Sequence, residues 1–83
     1  LSEETIEDAI ITHQIHADIR RIVKALPESQ QAVLVMRYYK NMSFKEIADA
    51  TNVSINTALG RMRYAILNMR RIAEENNIVL TAI

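Results

Sequence analysis

No cysteine occurs among the 83 residues, which excludes a disulfide framework and a thiolate metal site. A single glycine and a single proline leave little room for turns or bends. No apolar run approaches the roughly 20 residues that a helix needs to cross a bilayer, so no membrane insertion is expected. Nothing resembles a signal peptide, and the default location is intracellular, in the cytoplasm. The chain has no glycine-rich phosphate loop and no serine set in a nucleophile turn. With no catalytic constellation, neither an enzyme nor a cofactor is expected. The chain also lacks an initiator Met. The expectation is a single helical domain over 1–83, forming the C-terminal part of a longer protein. At this size a single core is marginal but sufficient.

What is present is periodic. Hydrophobic residues make up 49% of the chain and fall at helical spacing, so the expected fold class is all-α, a four-helix domain. The net charge of zero hides an asymmetry. Residues 1–28 hold Glu3, Glu4, Glu7, Asp8, Asp18 and Glu28 against Arg20, Arg21 and Lys24. Residues 29–73 hold Arg37, Lys40, Lys45, Arg61, Arg63, Arg70 and Arg71 against Glu46 and Asp49. A neutral domain with a basic half suits a module that touches one side of a duplex.

The first helix is expected from Ser2 or Thr5 to Ala25, with Ile11, Ile15, Ile19, Ile22 and Leu26 as its apolar stripe. Leu26-Pro27 breaks it, because proline disfavours α geometry in the residue before it. Pro27 then suits the first position of a second helix, expected to run to Tyr39. Of the adjacent Tyr38 and Tyr39, one is expected in the core and one at its rim, the alternative being a pair that stacks on a partner. Met36, Met42, Met62 and Met69 are expected as core fillers. His13 and His16 share a helix face, but a metal site needs further ligands within reach.

The segment from Ser43 to Arg63 carries the most information. Ser43 with Glu46 is a capping box that opens a short helix over Phe44–Thr51. Phe44, Ile47 and Ala48 form its apolar face. Asn52-Val53 is the turn, where Asn tolerates a left-handed backbone and Val53 plugs the space between helices. Ser54 caps the next helix. That helix should run from Ile55 to about Asn76, with Ile55, Ala58, Met62, Ala65, Met69 and Ile72 as its apolar row. Its opposite side carries Asn56, Thr57, Gly60, Arg61, Arg63, Tyr64, Asn68 and Arg71. Asn76-Asn77 is the stop signal. The apolar tail from Ile78 to Ile83 packs back on the first helix or meets a partner.

Helix, tight turn, helix over about 43–73 is a helix-turn-helix, and its partner is double-stranded DNA. The second helix of such a motif enters the major groove with its N-terminal residues toward base edges. Asn56 suits an adenine edge, and Ile55, Thr57 or Leu59 suit thymine methyls. Arg61 and Arg63 suit phosphate or guanine. A mid-helix glycine costs about 1 kcal/mol relative to alanine. At Gly60 it either lets the helix backbone approach DNA closely, or reflects close helix packing or tolerated drift. Lys45 lies beside first-turn amides that can bind a phosphate, and Arg37 and Lys40 flank the same side. The candidate DNA-contacting residues are therefore Arg37, Lys45, Ser54, Ile55, Asn56, Thr57, Leu59, Gly60, Arg61, Arg63 and Tyr64, with no metal ligands among them.

These residues resemble a known family. The run Leu26-Pro27-Glu28-Ser29-Gln30-Gln31-Ala32-Val33-Leu34-Val35-Met36-Arg37-Tyr38-Tyr39 is similar to the start of the C-terminal, promoter-reading domain (region 4) of bacterial RNA polymerase sigma factors. Ser43-Phe44-Lys45-Glu46-Ile47-Ala48, Val53-Ser54 and Asn56 through Arg70 continue the likeness, which is strongest to the small, extracytoplasmic-function-like members. It covers Leu26 to Arg71. The resemblance implies binding of the −35 promoter element, docking on the β flap of the polymerase core, and an anti-sigma factor as a further candidate partner. It also implies that Asn56, Thr57, Leu59, Gly60 and Arg61 fall where the family reads DNA. Leu59 and Gly60 stand where small sigma factors often carry Lys and Ser, and Tyr64 where Arg is common, so the promoter sequence does not carry over from relatives. Two other readings compete. One is the C-terminal helix-turn-helix of a response-regulator-type transcription factor, which would dimerise on a palindrome. The other is a helical protein-interaction module indifferent to salt.

Overall fold

The computed structural model describes residues 17–78. Helix α1 covers 17–24, α2 Glu28–Leu34, α3 Phe44–Thr51 and α4 Ile55–Glu75, and a π-helical turn, Val35–Tyr39, continues α2. No strand occurs among the described residues, so the expected all-α class holds. His13, His16, Ile11, Ile15 and the segment beyond Ile78 lie outside the described residues.

Helix α4 organises the packing, with α2 and α3 both laid against it. Its buried row is Ala58, Met62, Ala65, Met69 and Ala73, which meets Ile22 and Leu26 from α1 and its end, Val33 and Leu34 from α2, and Ile47 and Ala48 from α3. Full burial of an aliphatic side chain such as Ile22, Val33 or Ile47 stabilises by about 1.5–3 kcal/mol. The ion pairs Arg21–Asp18 and Arg71–Glu75 lie on the surface, where such pairs contribute about 0–1 kcal/mol. The aliphatic cluster, rather than charge pairing, holds the domain together. Met62 and Met69 are buried, and Met36 and Met42 pack against the cluster from its edge.

The connection between α1 and α2 is tied by one side chain. The Gln31 amide donates to the Leu26 carbonyl at 2.8 Å and the Lys24 carbonyl at 3.1 Å, satisfying groups that the end of α1 leaves open. Pro27 stands one residue earlier than expected. Its ψ of 146° keeps it outside the helix as the N-cap, with its carbonyl accepting from the amides of Gln30 and Gln31 at 3.0 Å.

The second helix does not stay α-helical to Tyr39. Over Val35–Tyr39 it widens, and the Lys40 amide reaches the Val35 carbonyl, five residues back, at 3.2 Å. Widening a turn rotates the residues after Leu34 away from the positions that 3.6-residue spacing assigns. Tyr38 and Tyr39 are consequently both exposed, at 67% and 73%, and neither enters the core as expected.

Helices α3 and α4 end in the same way. Asn52 and Asn77 take left-handed φ values of 56° and 55°. The next amides, Val53 and Ile78, reach back five residues to Ala48 at 3.0 Å and Ala73 at 2.8 Å. This is the Schellman arrangement. In both cases the apolar residue after the asparagine packs on the core.

Candidate nucleic-acid interface

The starts of the two helices of the motif differ in charge. At α3 the Ser43 hydroxyl accepts from the Glu46 amide at 3.1 Å, and the Glu46 carboxylate accepts from the Ser43 amide at 3.0 Å. The bond from the Ser43 backbone, and then that from its hydroxyl, hold the Glu46 carboxyl below its ordinary value, so it is ionised at neutral pH. A carboxylate thus occupies the end of α3 where a phosphate would have to bind. Exposed Lys45 therefore offers its ammonium rather than a ready-made amide cradle.

At α4 the cap carries no charge. The Ser54 hydroxyl accepts from the Thr57 amide at 3.1 Å and donates to the Thr57 hydroxyl oxygen at 3.0 Å. No acidic residue lies in the first turn of α4. The positive end of its dipole is therefore left uncompensated by the protein and attractive to an anion. The Thr57 hydroxyl, accepting from Ser54, still has its own proton to donate.

On a helix advancing 100° per residue, the direction opposite the buried row of α4 runs through Asn56, Gly60, Arg63, Tyr64, Leu67 and Arg71. Asn56, Arg63, Tyr64, Leu67 and Arg71 are exposed, and Arg61 is half-buried on the flank of this stripe. Gly60 has an ordinary helical backbone, and among the described residues a Cβ built there would meet nothing within 4 Å beyond its chain neighbours and its own helix backbone. The close-packing explanation of this glycine therefore fails. The backbone at Gly60 is open to a partner.

Three positions differ from expectation. Ile55 does not join the apolar row and is 45% exposed, because burial begins one turn later at Ala58. At the far end Ala73 takes the buried place expected of Ile72, which lies on the flank. Asn68 does not face outward. Its amide donates to the Gln30 side chain on α2 at 2.8 Å and cross-links the two helices.

Arg37 performs a local task that spacing alone does not reveal. Its guanidinium donates to the Met42 carbonyl at 3.0 Å and lies 4.7 Å from the centroid of the Phe44 ring. It splints the connector from the π-helical turn to the first residue of α3. Asn41, left-handed at φ 53°, makes the bend inside that connector. The candidate residues thus form two groups. Ser54 through Tyr64 share the start of α4, whereas Arg37 and Lys45 lie at either side of the start of α3.

Comparison with known proteins follows this geometry. The family described as Sigma-70, region 4 matches residues 16–63, from α1 through Arg63 of α4. An RNA polymerase sigma-E factor of Streptomyces avermitilis is 27% identical over 78 residues, covering 94% of this chain and 44% of that protein. The protein of the same name from Streptomyces coelicolor is 30% identical over 70 residues, covering 84% of this chain and 40% of its own length. One from Streptomyces antibioticus is 27% identical over 78 residues, covering 94% and 43%. The chain spans less than half the length of the curated relatives it matches.

Proposed function

As the chain belongs to the sigma-70 region 4 family, we propose that it is the promoter-reading domain of a sigma factor. In this reading it recognises the −35 element of double-stranded promoter DNA, docks on the β flap of core RNA polymerase, and so directs transcription initiation. It acts by binding, without catalysis or cofactor, and in the cytoplasm. An anti-sigma factor is a further partner of this reading.

The observation that carries the proposal is the start of α4. It is exposed, capped by Ser54 without a carboxylate, and fronted by Asn56 with Arg61 and Arg63 one to two turns on. A helix fits the major groove, where adenine offers an acceptor and a donor that one Asn side chain satisfies together. Arg61 and Arg63 neutralise phosphate on either side of the inserted turns. Ser54 and the free proton of Thr57 hold the helix end against the backbone, and Tyr64 extends the same stripe with a phenol. Lys45 from α3 and Arg37 from the π-helical turn supply charge that positions without reading sequence.

The test is pull-down of core polymerase by the protein in its full length, followed by transcription from a genomic promoter library. Asn56→Ala and Arg61→Ala are each expected to remove about 1–3 kcal/mol of promoter binding. Asn56→Ala should also relax the choice of base at one position. Failure to associate with core polymerase would sink the proposal. Binding to a palindrome as a dimer would instead favour a transcription-factor reading.

A further inference from the structure

The π-helical turn Val35–Tyr39 holds no fully buried residue, and its effect falls on Arg37. In an unbroken α-helix, position 37 follows Val33 by four residues and Leu34 by three, and would share their buried face. A guanidinium left unpaired in that face would be costly. The widened turn carries Arg37 off it, and the residue is exposed. Turns of this kind are frequent at functional sites.

What Arg37 meets instead is the connector to α3. The Met42 amide turns back to the Met36 carbonyl at 3.0 Å, and the Met42 carbonyl accepts from the Arg37 guanidinium, also at 3.0 Å. The same guanidinium lies 4.7 Å from the centroid of the Phe44 ring, a cation–π contact. Phe44 is the first residue of α3 and also packs against the core cluster. Lys45 follows it directly. Because α3 has only eight residues, the setting of its first turn decides where the Lys45 ammonium stands.

We propose that Arg37 is a positioning residue of the DNA-binding motif. Aimed by the π-helical turn, its guanidinium fixes the first turn of α3 through the Met42 carbonyl and the Phe44 ring, and so sets the place at which Lys45 meets the DNA backbone. A lysine would carry the same charge, but only the planar fork presents a face to a ring and an edge to a carbonyl at once. The inference rests on the reading that this motif binds promoter DNA, and adds to it a role for Arg37 that depends on geometry rather than on charge alone.

Arg37→Lys separates the two, because it keeps the charge and loses the fork. The full-length protein, bound to core polymerase, is titrated with a promoter duplex selected from a random pool, over a range of salt concentrations. Lys45→Ala alone is expected to shallow the slope of log affinity against log salt by about one, as for a lost phosphate contact. Arg37→Lys is expected to weaken binding about five- to tenfold and to shallow the slope likewise, although it removes no charge. A loss of stability alone would leave the slope where it was. With Lys45→Ala already in place, Arg37→Lys should change affinity by less than about twofold. If Arg37→Lys binds like the unaltered protein, the inference is overturned and promoter reading stands. The same follows from an equal loss with and without Lys45, or from a slope that Lys45→Ala leaves unmoved. If the unaltered protein selects no duplex, the inference falls together with the promoter reading beneath it.

Discussion

Gly60→Ala is expected to move folding and DNA binding in opposite directions. Gly60 is the single glycine of the chain, and it sits inside a helix of 21 residues. No glycine takes a positive φ, so the backbone does not require one there. Among the described residues the added methyl would meet nothing within 4 Å beyond its chain neighbours and its own helix backbone, so the fold has nothing to displace. The substitution should then recover the helix propensity that glycine forfeits, about 1 kcal/mol. For a domain of this size that corresponds to about 4–8 °C in Tm, read by far-UV circular dichroism of the full chain. On DNA the sign reverses. If base edges or phosphates approach the α4 backbone at Gly60, the same methyl overfills a packed contact at a cost of about 1–3 kcal/mol. Affinity for a promoter duplex should fall roughly five- to 150-fold in a competition assay against the unaltered protein. A lower Tm would refute the open surroundings of Gly60. A higher Tm with unchanged affinity would refute the close approach, leaving this glycine without a task in DNA binding.

Two further predictions concern the helix-turn-helix itself. Ser43→Ala removes the acceptor for the Glu46 amide and should cost about 1 kcal/mol in urea denaturation. The Glu46 carboxyl is depressed in the fold, so its contribution is complete above the ordinary carboxylate range and is lost as pH falls through that range toward the folded value. Glu46→Gln should flatten the acid limb of stability against pH, and an unchanged limb would show that the capping carboxylate is not its source. Asn52→Ala forces a Cβ-bearing residue without a compensating amide into the left-handed turn, at about 1–2 kcal/mol. Asn52→Gly should be nearly neutral, and equal losses in the two variants would exclude backbone conformation as the cause.

Legibility in the sequence followed the range of the interaction. The Ser43–Glu46 box, the Ser54 cap and the left-handed turn at Asn52 depend on residues within five positions of one another, and each was readable as a local pattern. So was the length of α3, bracketed by two such signals. The π-helical turn was not readable, because residues 35–39 hold no glycine or proline and nothing in their spacing marks a sixth residue in the turn. That one insertion is also why both tyrosines were misplaced. Asn68 looked outward by polarity, yet its partner Gln30 lies 38 positions away and becomes visible only once α2 meets α4. Arg37 is a similar case. Its bonds to the Met42 carbonyl and the Phe44 ring cross a non-helical connector, where no periodicity applies. At the start of α4 the polar and aliphatic residue types were readable. The exposure of Ile55 and the empty space around Gly60 were not, since both depend on where packing against α2 and α3 begins.

The two sides of α4 have separate tasks. The side that builds the core is an alternation of alanine and methionine, and the outward stripe from Asn56 to Arg71 shares no residue with it. Substitutions at sites without shared partners add nearly independently. Apart from Gly60, where helix propensity itself changes, substitutions along the outward stripe therefore leave the core packing as it is. On the proposed reading of α4, a lineage carrying this domain would acquire new target sites by single outward substitutions, while the scaffold that presents them stays as it is.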